Sequence, residues 1–356
     1  MNDQIKCQLC EYLAEDGNLV PHLRENHPEI SLKDYMGKFG GKTSVIAERL
    51  IREHEEKQRE AELAGMETEK RDSLSEELQA MIPASDPHYE MQEFASDVDY
   101  CIKHKYPVAL TGHCGTGKTS LIYEMAAKAG QPVIRVNANQ QTTISDFVGH
   151  WAVKAGEMVW IDGALPYAMR NGCWLIIDEI DYAEPAILSA LNAVLEPSRR
   201  LMLKEKGNEV VEAHEEFRVF ATGNTLGQMQ QYRSLYQGTT VMNEAFMDRW
   251  RLFKVDYLSQ DLEIKVVTSS VSGMTKPMAK RLVEIANSVR KAFNEESLTC
   301  TFSTRRLLDW AEMIVVHKDK RQEAPFRAAE STIFAKVSAE DEQAIRGFMQ
   351  RVFFSR

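Results

Sequence analysis

The stretch that decides the fold reads Val108-Ala109-Leu110-Thr111-Gly112-His113-Cys114-Gly115-Thr116-Gly117-Lys118-Thr119. Its first four residues have the composition of a short buried strand. The remainder fits the pattern G-x-x-x-x-G-K-[ST], and an amphipathic helical pattern begins near Lys118. A strand, a glycine-rich loop and a helix in this order form the context that a phosphate-binding loop requires.

The residue types of this loop suit a polyphosphate. Glycine lets successive backbone N–H groups curl around an anion at a helix N-terminus. A lysine at the end of the loop can reach the outer phosphates, and the hydroxyl that follows it can bind Mg2+. Cys114 is interpreted as a small filler of the loop. The predicted nucleotide-binding residues are Gly112, His113, Cys114, Gly115, Thr116, Gly117, Lys118 and Thr119.

Short apolar runs alternate with helical patterns along the middle of the chain. Such alternation predicts a parallel sheet with helices on both faces, whose ligands bind at the carboxyl ends of the strands. After about Asp261 the pattern becomes helical throughout. We therefore predict an α/β domain with a five-stranded parallel sheet, followed by a helical lid. The predicted strands are residues 108–111, 133–136, 174–178, 217–222 and 252–255.

A second motif lies about sixty residues after the loop, where the apolar run from Trp174 ends in Asp178 and Glu179. Two acids after an apolar run are common, but they are informative when they follow a phosphate loop at this spacing. Asp178 at the strand tip can bind Mg2+, and Glu179 can polarise the attacking water. Phosphoryl transfer to water needs both roles.

Polar residues at two further positions are candidates for the same site. Asn224 follows the strand 217–222 and can orient water near the terminal phosphate, although an Asn after Gly223 also suits a turn. In the predicted lid, Arg305 or Arg306 can swing onto the phosphates. A double Arg at a helix start can equally be a solvated face.

Arg249 precedes the last predicted strand and lies too far around the sheet edge to reach its own nucleotide. It is predicted to reach the nucleotide of a neighbouring subunit and to stabilise charge in the transition state, with Arg251 as a second candidate. The alternative is a salt bridge between Arg249 and Asp248.

Cysteine and histidine spacing at the start of the chain predicts a zinc finger. Cys7-x2-Cys10-x11-His22-x4-His27 is close to the two-Cys, two-His pattern, and Leu19 lies three residues before the first His. Residues 1–40 contain four basic and seven acidic residues, a net charge of -3. DNA-binding modules are normally basic, so we favour a protein-docking finger over a DNA-reading one.

Length and composition define the remaining organisation. The 356 residues are 44% hydrophobic and 27% charged, which excludes global disorder and fibrous classes. The net charge of -10 argues against a chain that coats nucleic acid or membranes. Without a long apolar segment or an apolar leader, we expect a cytoplasmic protein with no membrane contact. The predicted domains are a zinc finger (1–43), a charged helical linker (44–82), the ATPase core (83–260) and the lid (261–356).

These motifs together resemble AAA+ ATPases. Within that superfamily, residues 100–265 are similar to the MoxR group, most closely to the ATPase subunits of aerobic cobaltochelatases (CobS type). The blocks that carry the resemblance are Thr111 to Thr119, Arg135 to Asn137, Asp146 to Gly149, Gly163 to Pro166, Asp178-Glu179, Phe220 to Thr225, Leu235 to Thr239 and Asn243 to Trp250. Residues 1–40 depart from that subunit.

The resemblance implies a ring, usually of six subunits, with ATP and Mg2+ at the subunit interfaces. It implies two inserted hairpins that face the pore or the client, placed at about residues 151–162 and 200–211. It further implies a partner with a von Willebrand A domain and, for cobaltochelatases, a large chelating subunit.

Three functions follow from these patterns. The leading hypothesis is a ring-forming ATPase that converts ATP hydrolysis into remodelling or activation of a partner complex. The second is a recruitment module in which the zinc finger binds protein or DNA and nucleotide acts as an assembly switch. The third is cobalt insertion in the strict sense. The presence of Glu179, Asn224 and Arg249 favours hydrolysis, since a pure switch does not need Glu179.

Overall fold

The computed structural model describes residues 5–10, 12–14, 19–39, 74–138, 142–225 and 242–354. It divides into two compact units, residues 1–75 and 76–356. Most of the predicted linker 44–82, and the block 235–239 used for the resemblance, lie outside the described residues. Of the helices in the described ranges, none combines the length and apolar character needed to cross a bilayer.

The first unit contains a two-stranded antiparallel sheet and two helices. Strands β1 (Ile5–Lys6) and β2 (Leu13–Ala14) pair with each other, and α1 (Val20–Asn26) and α2 (Leu32–Phe39) follow. Leu19, Leu23 and Tyr35 are buried around Cys7. So small a core gives little stability, since domains of this size usually need a metal or disulfides.

The second unit begins with an α/β domain whose helices and strands alternate. Its elements are α3 (Glu76–Ala80), α4 (Ala95–Lys103), β3 (Val108–Thr111), α5 (Lys118–Lys128), β4 (Val133–Asn137), α6 (Ile144–Val148), β5 (Gly149–Lys154), β6 (Glu157–Asp162), α7 (Ala164–Asn171), β7 (Trp174–Asp178), α8 (Pro185–Leu195), β8 (Arg200–Leu203), β9 (Glu209–Glu212), β10 (Arg218–Gly223), α9 (Glu244–Met247) and β11 (Arg251–Lys254). Helix α3, within the predicted linker, belongs to this unit, and Val133 N–H donates to Met81 O at 3.0 Å.

A parallel sheet of order β11-β3-β10-β7-β4 forms the centre of this domain in the described residues. The predicted fold class is therefore confirmed. Every residue of β3 and β7 is buried, as expected for strands covered by helices on both faces. The register places Thr111 beside Gly223, and Asp178 beside Asn137, so the carboxyl ends of four strands meet at one edge.

Two antiparallel hairpins belong to this domain, close to the positions that the family resemblance implies. In the first, β5 pairs with β6 and Trp151 lies opposite Trp160. In the second, β8 pairs with β9 and Leu201 lies opposite Val211. The indole N–H of Trp151 donates to Glu205 O at 2.9 Å, so the two hairpins touch.

The C-terminal part of the second unit is helical, as predicted. Its core contains the fully buried Leu282, Phe302 and Trp310. Helix α12 starts after Ser303, whose hydroxyl accepts a hydrogen bond from Arg306 N–H as the N-cap. The helices of this lid are α10 (Gln260–Ser270), α11 (Lys276–Asn294), α12 (Thr304–Val316), α13 (Ala324–Thr332) and α14 (Ala339–Phe354).

A buried ion pair joins two lid helices. Arg290 on α11 binds both carboxylate oxygens of Glu263 on α10, each at 2.7 Å, and its Nε donates to Phe302 O at 2.7 Å. The Glu263 side chain is 0% exposed and that of Arg290 is 7% exposed. The Thr304 hydroxyl also donates to Glu263. Bidentate geometry and extra hydrogen bonds offset the cost of desolvating both charges.

Removing one partner should destabilise the lid, because it leaves the other charge buried and unpaired. We expect Arg290→Gln to lower the free energy of unfolding by about 3 to 5 kcal/mol, measured by denaturant titration of the full chain. Lys291→Gln is the matched control, since Lys291 is the next residue and pairs with Glu295 at 3.8 Å on the surface. The control should cost less than about 1 kcal/mol. Equal losses for both variants would contradict the packing role of Arg290.

Candidate active site

The phosphate loop connects β3 to α5, and its glycines are required by backbone shape and by crowding. Gly112, Gly115 and Gly117 have φ values of +154°, +73° and +90°. A Cβ on Gly112 would lie 2.1 Å from Val255 O, and one on Gly115 would lie 2.4 Å from Ser303 Cβ. The loop therefore packs directly against the start of the lid helix α12. His113 and Thr116 are linked within the loop by a 3.0 Å hydrogen bond from the Thr116 hydroxyl to His113 O.

Lys118 lies at the start of α5 with its ammonium inside the loop. Its Nζ donates to Gly112 O at 2.7 Å, to His113 O at 3.0 Å and to Asn224 Oδ1 at 3.2 Å. Burial lowers the pKa of Lys118, although acidic groups that include Asp178 oppose this effect. The loop and the tip of β10 are thus tied together by one cation.

Asp178 ends β7 and is 6% exposed. Its Oδ1 accepts from the Thr119 hydroxyl at 3.1 Å and from the Thr222 hydroxyl, and its Oδ2 pairs with the guanidinium of Arg135. These contacts satisfy a carboxylate that burial would otherwise penalise. Asp178 and Thr119, predicted as a pair from the sequence, are therefore neighbours in the structure.

Glu179 follows directly and adopts a left-handed backbone, with φ +55° and ψ +41°. This conformation is uncommon for a residue with a Cβ, and such strain often occurs at functional sites. Its N–H donates to the Thr222 hydroxyl at 3.3 Å, and its side chain is exposed. The left-handed turn separates the two acids: Asp178 faces the interior, and Glu179 is open to solvent.

Asn224 follows β10, the strand that lies between β3 and β7 in the sheet. Its N–H and that of Thr225 each donate to Asp181 Oδ2 at 2.9 Å. Asp181 is 0% exposed, and it holds the tip of β10 from the short helical turn Ile180–Tyr182 that follows β7. No sequence motif predicts a catalytic or binding role for Arg135 or Thr222. Both residues lie outside the acidic motif. They reach Asp178 because β4 and β10, which carry Arg135 and Thr222, are the two neighbours of β7 in the sheet.

The lid supplies Arg305 to a cavity of about 270 Å³ beside the phosphate loop. Gly115, Thr116 and Thr304 also line it, as do residues of the segment 86–92, which carries no motif in the sequence. Arg306 instead donates to Thr301 O at 3.1 Å and lies over the Phe302 ring. Of the two arginines, Arg305 is therefore the one beside the loop.

Arg249 lies apart from this constellation. Its guanidinium binds Glu196 at 2.9 Å and Ala245 O, so its carboxylate partner is Glu196 and not Asp248, the predicted alternative. It lines a separate cavity of about 370 Å³, together with Arg251. The structure does not bring Arg249 to the phosphate loop of its own chain.

The four predicted zinc ligands of the first unit converge. One ligand atom from each of Cys7, Cys10, His22 and His27 lies within 4.8 Å of the others. Cys10 Sγ is 3.1 Å from His22 Nε2. Nδ1 of His27 faces Glu29 at 3.5 Å, and its Nε2 is a buried nitrogen with no hydrogen-bond partner in the described residues. Thiols and imidazoles at this spacing fit a tetrahedral zinc ion.

Comparison with known proteins agrees with this geometry. The AAA domain (dynein-related subfamily) matches residues 107–249, which contain the loop, the acidic pair and Arg249. The CbbQ/NirQ/NorQ C-terminal family matches residues 263–353, which cover the lid. The first family match therefore covers the α/β core, and the second covers the helical lid that follows it.

Individual relatives give the same assignment. Aerobic cobaltochelatase subunit CobS of Sinorhizobium sp is 34% identical over 261 residues, which are 70% of this chain and 78% of that subunit. An uncharacterised protein of Staphylococcus haemolyticus is 29% identical over 253 residues, 90% of its length. Midasin of Dictyostelium discoideum is 31% identical over 219 residues, but these make up only 4% of midasin. The chain belongs to the MoxR-type AAA+ ATPases and is an ATPase.

Proposed function

We propose that the chain couples Mg-ATP hydrolysis to remodelling or activation of a partner complex, as a subunit of a homo-oligomeric ring. The observation that carries this proposal is the convergence at one sheet edge of Lys118, Asp178 and Asn224, with the exposed Glu179 beside them. A switch that only binds nucleotide would not need a solvent-facing acid held there by a strained backbone.

Lys118 and the loop are assigned to the triphosphate. The ammonium is aimed into the loop by Gly112 O and His113 O. A phosphate oxygen is a stronger acceptor for it than a neutral carbonyl, because both partners are then charged. The N–H groups of the loop and the N-terminus of α5 stabilise the same anion.

Thr119 and Asp178 are assigned to Mg2+. Their oxygens are 3.1 Å apart, and hydroxyl and carboxylate oxygens are the donors that this hard cation prefers. When bound, Mg2+ neutralises charge on the phosphates. Arg135 occupies the second oxygen of Asp178, so the carboxylate stays fixed in orientation.

Glu179 is assigned as the general base. It accepts a proton from water while the water oxygen bonds to the γ-phosphorus and the bond from that phosphorus to the β-γ bridging oxygen breaks. ADP leaves with the bridging oxygen. Asn224, whose Oδ1 accepts from Lys118, lies where it can orient the water near the γ-phosphate.

Two arginines are assigned to transition-state charge. Arg305 in the lid reaches the phosphates of its own chain, since it lines the cavity beside the loop. Arg249 acts on the nucleotide of the neighbouring subunit, since its own loop is out of reach and it faces a different cavity. Hydrolysis therefore requires assembly, which we propose to be a ring of six.

The partner is inferred from the relatives. One relative is named as a subunit of aerobic cobaltochelatase. We therefore propose that this chain also acts within a complex, and the family resemblance favours a von Willebrand A domain protein as its partner. The first unit, with Cys7, Cys10, His22 and His27 binding one zinc ion, is proposed to recruit a protein client. Its acidic composition argues against duplex DNA.

Single substitutions should separate binding from hydrolysis. We expect Glu179→Gln to bind ATP as the wild type does and to lose hydrolysis by about 100-fold or more, because the general base is absent. We expect Lys118→Ala to weaken ATP binding itself. Phosphate release and binding of a fluorescent ATP analogue measure the two properties.

Each substitution has a matched control nearby in the chain. Lys128 is an exposed lysine at the end of α5, and Glu184 is an exposed acid five residues after Glu179. Lys128→Ala and Glu184→Gln should behave as the wild type. Full hydrolysis by the Glu179→Gln chain would exclude Glu179 as the base.

The zinc assignment predicts one zinc ion per chain, measured by elemental analysis of protein purified without added metal. Cys10→Ser should lower this content and make residues 1–39 sensitive to protease, because folding of so small a module depends on the metal. Cys114→Ser is the control, since Cys114 is exposed in the phosphate loop. A zinc content near zero with the module still protected would contradict the assignment.

A further inference from the structure

The cavity that Arg249 lines is a candidate binding site in its own right. It has a volume of about 370 Å³, within the size range of small-molecule sites, roughly 300 to 1,000 Å³. Five basic side chains line it against the two acids Glu196 and Asp248. The basic residues are Lys105, Arg199, Arg218, Arg249 and Arg251.

The cavity lies at the opposite end of the sheet from the phosphate loop. Pro107, which precedes β3, and Arg218 and Arg251, the first residues of β10 and β11, line it. The loop follows the other end of β3. Strands rise roughly 3.3 Å per residue, so the first and last Cα atoms of this four-residue strand are roughly 10 Å apart. A single phosphate group therefore cannot contact both the phosphate loop and this cavity in the same chain.

Two of the arginines are held by groups that do not neutralise them. Arg199 donates to His214 O at 2.9 Å, and Arg218 donates to Ile102 O at 2.6 Å and to Glu215 O at 2.7 Å. Backbone carbonyls fix a guanidinium in place but leave its charge. Burial lowers the pKa of both side chains, which indicates that desolvation outweighs the nearby carboxylates.

The acids near the cavity are partly engaged. Glu196 binds Arg249, and Glu215 binds Lys105 at 3.0 Å. Arg251 lies with its guanidinium 4.8 Å from the centre of the Tyr106 ring. The lining therefore keeps an excess of positive charge on preoriented guanidinium groups, which favours an anion with several oxygens.

We propose that this arginine-lined cavity is a second anion site that binds a phosphate group. Arg199 and Arg251 are assigned to it beside Arg249. The phosphate has two possible sources: the nucleotide of a neighbouring subunit, which rests on the ring proposed above, or a free phosphorylated small molecule. In both cases Arg199, Arg218 and Arg251 have a binding role that the reaction within one chain does not use.

Binding is tested with pyrophosphate on the full-length Lys118→Ala chain, in which the phosphate loop has lost its ammonium. Calorimetry should show a site that weakens by roughly tenfold or more when Arg199→Gln and Arg251→Gln are added. Arg200→Gln is the control. Arg200 follows Arg199 in the sequence, but it does not line the cavity and it pairs with Glu212. Melting temperatures check that each chain is folded. Equal affinity of the Lys118→Ala chain with and without the two changes would overturn the proposal.

The source is tested by mixing chains. An Arg249→Ala chain keeps its phosphate loop, and a Lys118→Ala chain keeps the cavity, so their mixture should hydrolyse ATP if subunits complement each other. Loss of complementation when Arg199→Gln and Arg251→Gln are added to the Lys118→Ala chain assigns the site to the neighbour's nucleotide. Unchanged complementation together with lost pyrophosphate binding assigns it to a free phosphorylated molecule. Absence of hydrolysis in every mixture would contradict the ring, while the calorimetry still decides the cavity.

Discussion

The candidate active site is built around one buried carboxylate at the end of a parallel strand. Asp178 is 6% exposed, and an unpaired charge there would be strongly destabilising. Thr119, Thr222 and Arg135 supply the compensating contacts, each from a different segment. The phosphate loop, β10 and β4 are thereby held in register around the place where Mg-ATP is proposed to bind.

The lid is joined to the same loop through aromatic and charged contacts. The guanidinium carbon of Arg290 lies 4.0 Å from the centre of the Tyr257 ring. The same ring is stacked with that of His113 in the phosphate loop, and the two ring centres are 6.3 Å apart. Arg290 is fixed by Glu263, which also accepts from Thr304. The buried ion pair therefore does more than stabilise helices, since it positions the residues that adjoin Gly115 and Arg305.

Local patterns were sufficient to predict the five strands, the phosphate loop, the acidic pair, Asn224 and the cysteine and histidine cluster. Each of these is defined by neighbours in sequence. Arg135 and Thr222 were missed because their contacts with Asp178 depend on the strand order β10-β7-β4, which no spacing along the chain specifies. The choice between Arg305 and Arg306 likewise required the direction of each side chain at the start of α12.

We propose that Asp178 holds the metal ion of a hydrolytic site, and the Mg2+ dependence of ATP hydrolysis is the measurement that tests this role. Wild-type and Asp178→Asn chains would be titrated with Mg2+ at saturating ATP, and the concentration that gives half of the maximal rate compared. We expect this concentration to rise by roughly tenfold or more in the variant, because a charged oxygen ligand is lost. An unchanged half-saturating Mg2+ concentration and an unchanged rate would contradict it.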